Sequence, residues 1–329
     1  MNYNQIGAAV GCAKAGGWKF EPLRLTNTGT DNATVAFEDI SQTGTVLKVR
    51  HTPSGEFDIW NFSSITLQPG EFIEIAGDNH EAGGFLGKFQ MTGESVAASG
   101  SIMSIAYGEN MTEEDEKVIP FIDIFHDEGE DEALFRGCVS LTTAPKLPAT
   151  QLVNGSYKSM FSNCTSLTAA PELPATQLAS ECYNSMFSGC TSLTVAPELP
   201  ATTLADGCYK GMFYGCTSLT VAPELPATTL ARSCYCLMFH GCVNLTTAPE
   251  LPATILAAGC YSEMFYGCEH LQSVTVRFSS WEEPEEEKSC TTDWLEEAAT
   301  TGTFTCPSDL DTTRRNTSAI PENWTVQTV

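Results

Sequence analysis

The feature that most constrains this chain is a 26-residue pattern that runs from Phe135 onward without insertion or deletion. Phe135, Phe161, Phe187, Phe213, Phe239 and Phe265 mark its first position. Counting from that Phe, Cys stands at position 4, Leu at 7, 13 and 18, Pro at 11 and 14, Tyr at 23 and Met at 26. A unit of this size cannot bury its apolar face alone, so a fixed period in this range predicts units stacked on one another.

Within a unit the apolar residues fall at positions 18, 22, 26 and then 4 of the next unit, as in Leu178, Cys182, Met186 and Cys190. A four-residue step predicts a helical stripe. Position 3 holds Gly137, Asn163, Gly189, Gly215, Gly241 and Gly267, residue types that tolerate the left-handed conformation, so the helix is expected to close there. Thr176 and Thr202, at position 16, are expected to cap its start. Positions 5 to 10 (TSLTVA) read as a short strand, and PELPAT as an extended corner, because Pro cannot sit centrally in a ladder. Strand, proline corner and helix together predict an α+β chain with a leucine-rich-repeat-like solenoid over 135–268.

The flanks read differently. Residues 1–20 form an N-terminal tail, and 21–110 carry short alternating runs such as ATVAFEDI, TVLKVR, FDIWNF, EFIEIAG and IMSIAY. Period-two alternation broken by turn residues predicts an all-β sandwich leader with Trp60 and the phenylalanines in its core. Residues 111–134 form an acidic connector around VIPFIDIF, whose carboxylate spacing does not fit an EF-hand. After the charged run WEEPEEEK, Trp294, Leu295, Phe304 and Trp324 supply apolar surface for a C-terminal cap over 269–329.

Units such as FSGCTSLTVAPELPATTLADGCYKGM resemble the BspA-like leucine-rich repeats of surface proteins from Bacteroides-type bacteria, and similar units occur in phages of such bacteria. The flanking GSIMSIAYG, TTDWLEEAATTGTF and IPENWTV share in the resemblance. It implies display or adhesion without an active site: a non-enzymatic recognition protein, extracellular or on the cell surface, that binds a protein or glycan ligand on a host or bacterial surface. The alternative is a phage virion protein, a fibre or decoration. Met1 to Phe20 lack the basic-then-apolar pattern of an export signal, which favours that alternative.

A formal net charge of -25 and a pI near 4.4 set a field that repels nucleic acid and anionic lipid. No run approaches the ~18 apolar residues of a membrane span. Ten of the 14 cysteines fall in register at positions 4 and 22, where they read as buried thiols acting as small hydrophobes. Pairing of Cys290 with Cys306 stays open on spacing alone. No phosphate loop, zinc pair or nucleophile elbow is present, so no catalytic residue, cofactor or metal is assigned. Cys236 and His240, four apart and off the register, are placed on an exposed helix face as ordinary surface variation. The candidate binding surface is the acidic column Glu172, Glu198, Glu224 and Glu250 at position 12, together with Tyr214, His240 and Tyr266 at the variable position 2. The oligomeric state is left open.

Overall fold

A computed structural model describes residues 21–39, 46–77, 79, 87–119, 133–281 and 289–329. The expected tail 1–20, most of the acidic connector and nearly all of WEEPEEEK lie outside the described residues.

The leader contributes β1 (Leu23–Asn27), β2 (Ala33–Asp39), β3 (Leu47–Arg50), β4 (Asp58–Ile59), β5 (Ile65–Leu67), β6 (Phe72–Gly77), β7 (Gly87–Gly93) and β8 (Val96–Ser99). A further strand, β9 (Leu141–Thr143), comes from the first repeat. They form a six-stranded sheet in the order β4-β3-β6-β1-β8-β9 and a three-stranded sheet β5-β2-β7. Alternation does its work here. Leu23 and Leu25 of β1, Val35 and Phe37 of β2 and Ile73 and Ile75 of β6 are all buried, around Trp60 and Phe89. The run IMSIAY, expected as a strand, instead holds the short helix α1 (Ser104–Tyr107). The buried Ser104 hydroxyl accepts the Leu23 N–H and donates to the Ile75 carbonyl, which ties this turn across β1 and β6.

The expectation of an α+β, leucine-rich-repeat-like solenoid is corrected by the structure. Among the described residues α-helix is confined to α1, and the strands gather in three small sheets, none of them closed. The stretch expected to be helical is a succession of tight turns. At positions 21, 25 and 3 every unit has φ between 50° and 73°, irrespective of whether Gly, Ser, Asn, Glu or Leu occupies the site. A left-handed residue at every fourth position is incompatible with an α-helix. The four-residue stripe is real, but its cause is a four-residue turn period, and with no helix present Thr176 and Thr202 cap nothing. TSLTVA likewise shortens to single parallel bridges in the middle units, such as Thr143 to Ala169 and Ala169 to Val195. The prolines that follow cut each ladder short.

Backbone bonding in the turns alternates. Even positions donate three residues back, as Cys190 N–H to Phe187 O and Met186 N–H to Tyr183 O, at 3.0 and 3.3 Å. Odd positions donate to the neighbouring unit: Phe187 to Met212 at 2.9 Å, Gly189 to Tyr214 at 2.7 Å and Tyr183 to Cys208 at 3.0 Å. The same step recurs from Phe135, bonded to Met160, to Phe239, bonded to Met264. Much of what a helix would have bonded internally is thus bonded between units.

Side chains follow the backbone register. Phe161, Phe187, Phe213, Phe239 and Phe265 stack with centroids 5.6–5.8 Å apart, and the position-23 tyrosines with centroids 5.9–6.1 Å apart. Each stacked pair contributes about 0.5–1.5 kcal/mol beyond area burial. The leader provides the first ring: Phe89 of β7 stacks on Phe135 at 5.2 Å, and its N–H bonds to Leu134 O. At the far end Trp294 stands where the other units have Met, its carbonyl accepting the Phe265 N–H and its ring tilted against Phe265 with centroids 6.5 Å apart. Beyond it β10 (Ser273–Thr275), β11 (Thr303–Cys306) and β12 (Thr325–Thr328) form a parallel three-stranded sheet, with Phe304 and Trp324 buried. One contiguous apolar cluster therefore runs from Leu23 to Trp324.

Among the described residues, no helix is long and apolar enough to cross a membrane.

Candidate functional site

The proline corners build the most regular exterior feature. Leu at position 13 is buried and anchors each corner, and the flanking Pro and Glu turn outward. Between successive corners lie four open clefts of about 330, 470, 440 and 370 Å³ in chain order. The second is lined by Ala170, Pro171, Glu172, Leu173 and Pro174 of one unit and Pro197, Glu198 and Pro200 of the next. Its neighbours repeat that lining, except that Lys146 replaces Glu in the first cleft. Glu172, Glu198, Glu224 and Glu250 are thus brought into one line along the cleft mouths. The column ends in cations of the chain itself: Lys146 is ion-paired with Glu21, and Arg277 Nε donates to Glu250 Oε1 at 2.6 Å.

Tyr214, His240 and Tyr266 are brought together as well. Their rings stack in parallel, with centroids 4.5 Å apart for Tyr214 and His240 and 4.7 Å for His240 and Tyr266. His240 is largely enclosed by the two tyrosines, and Glu263 Oε2 lies 3.8 Å from its Nε2. Burial holds the imidazole below its ordinary pKa, against the opposing pull of Glu263 and Glu297. Glu297, first among four nearby carboxylates, holds the Tyr266 hydroxyl above its ordinary range.

The thiols lie inside. The thirteen described cysteines are buried and none is in a disulfide, Cys290 and Cys306 among them, so that pairing does not form. The position-4 thiols donate to the phenylalanine carbonyl of the preceding unit, as Cys164 to Phe135 at 3.0 Å and Cys216 to Phe187 at 3.1 Å. Burial pushes Cys138, Cys190, Cys208 and Cys268 up to about 12, far from nucleophilic reach at neutral pH. Cys236, expected on an exposed helix face, is buried, because the turns carry side chains inward where a helix would not. Among the described residues no three His, Cys, Asp or Glu side chains converge on a metal-sized site.

Reading the acid column alone missed two parts of this surface: the proline rings that wall each cleft, and Arg277 at the column's end. The repeated PELP was the available signal for the first. Arg277 lies past the last complete unit, where the pattern has decayed. No protein-family model, no curated protein and no solved structure matches this chain.

Proposed function

We propose that this chain is a non-enzymatic recognition protein that works outside the cell or on its surface, holding a polymeric protein or glycan ligand along its row of clefts. The observation that carries the reading is the fourfold recurrence of one cleft in fixed register. A ligand that repeats can engage several clefts at once, so weak single contacts sum to useful affinity through high effective concentration. Shallow, open clefts without converging acid, base and nucleophile suit holding rather than turnover. The resemblance of the units to repeats of bacterial surface proteins supports the location.

Arrays of surface glycans and extended peptides, probed with the whole chain, test this. The expected result is retention on at least one repeating ligand, lost when Glu198→Tyr and Glu224→Tyr together put bulk across the central clefts. Retention indifferent to that pair, or no retention anywhere, would contradict it.

A further inference from the structure

The clefts carry a chemical preference of their own. Each combines apolar walls of proline, alanine and leucine with carboxylates at the mouth. That combination suits a long side chain with an aliphatic stem and a cationic head, which lays the stem on apolar surface while the head reaches acid and water. The chain performs this pairing itself at the last position, where the Arg277 guanidinium bonds Glu250 with both side chains half exposed. Glu172, Glu198 and Glu224, between the two ends of the column, bond no basic side chain among the described residues. All three are exposed.

Resting on the recognition reading above, we infer that the row of clefts binds an extended polypeptide segment rich in arginine or lysine. Each of the three carboxylates lines two adjacent clefts, so a partner laid along the row meets several of them in succession. An extended polyproline-type segment has three residues per turn and presents its side chains around the axis, and long arginine and lysine stems reach from it to the cleft mouths. Such a segment loses little conformational entropy on binding. The formal charge of -25 draws a basic partner in and turns an anionic glycan away.

The test uses the whole chain and a fluorescent peptide of arginine and proline, with a second peptide in which Gln replaces every Arg. Anisotropy titrations at moderate salt are run on the native chain, on Glu172→Gln/Glu198→Gln/Glu224→Gln, and on Glu56→Gln/Glu269→Gln/Glu322→Gln. The last set removes the same charge from exposed positions elsewhere. The expected result is tighter binding of the arginine peptide. Affinity for it should fall by about tenfold or more in the cleft variant and by about twofold or less in the distant one, as local pairing exceeds a shared long-range field. Equal losses in the two variants, equal binding of the two peptides, or no binding would each overturn the inference. If the arginine peptide fails while a neutral ligand is retained and is lost with Glu198→Tyr/Glu224→Tyr, the recognition reading stands without this partner. If no ligand is sensitive to that pair, both fall.

Discussion

Leu237 sits at position 25 with φ of 59°, and the equivalent residue one unit earlier, Gly211, has the same 59°. Its side chain is strained in this conformation and is not part of the apolar cluster. Leu237→Gly is therefore expected to stabilise the fold by about 0.5–1 kcal/mol, after the entropy glycine gains in the unfolded chain is set against the relieved strain. A thermal or urea unfolding midpoint checks this, and a lower midpoint would mean the left-handed geometry is absent there. The thiols give a second residue-scale outcome. A brief alkylation pulse at about pH 8 should leave Cys164, Cys190, Cys216 and Cys242 unmodified in the native chain and modify them in denaturant, since burial keeps the thiolate from forming. Native labelling at these sites, or a mass showing disulfides, would contradict the buried columns. At this scale much could be read directly. Gly and Asn at position 3 announced left-handed backbone, whereas at positions 21 and 25 the glycines Gly155, Gly207, Gly211 and Gly259 were diluted by Glu181, Ser185, Ser233 and Leu237.

The elements are where sequence and structure part. A step of four along Leu178, Cys182, Met186 and Cys190 is compatible with a helix of 3.6 residues per turn and equally with turns of four. Periodicity cannot separate them. What separates them is the destination of the N–H groups, and that depends on a neighbour 25 residues away. In the leader, alternation located most strands because one face of each is buried, yet it could not reveal that β9 of the first repeat joins β8 in parallel. The outer face of β6 carries another element-scale feature. Glu74, almost fully buried, accepts from Arg24 on β1 and from Arg50 on β3, the latter at 2.6 Å. The two guanidiniums lie 4.3 and 4.4 Å over the rings of Phe72 and Phe57. Glu74→Gln removes the one charge that both arginines share, and is expected to lower unfolding free energy by about 3 kcal/mol. Denaturant unfolding measures it; a loss within about 0.5 kcal/mol, the size of an ordinary surface change, would show that the pair does not bridge the strands.

Across the molecule the units form a series in which each contacts its neighbours, with Phe89 supplying the first ring and Trp294 the last. Stability in such an array is close to a sum of unit and junction terms, and the same geometry that pairs the backbones lines up the clefts. The decay of the pattern after Cys268 was plain in the sequence. That Trp294 and Cys290 nevertheless continue the columns was not, because the intervening run is longer than in the other units and shifts them out of the 26-residue register. Everything proposed for the exterior depends on the units being bonded in this register. Through-hydrogen-bond scalar coupling in a labelled, deuterated sample reads that bonding atom by atom. The predicted result is correlation of the Phe187 amide nitrogen with the Met212 carbonyl carbon, and of Gly189 with Tyr214. Correlation of Phe187 with the carbonyl of Tyr183, four residues back as in a helix, would contradict it.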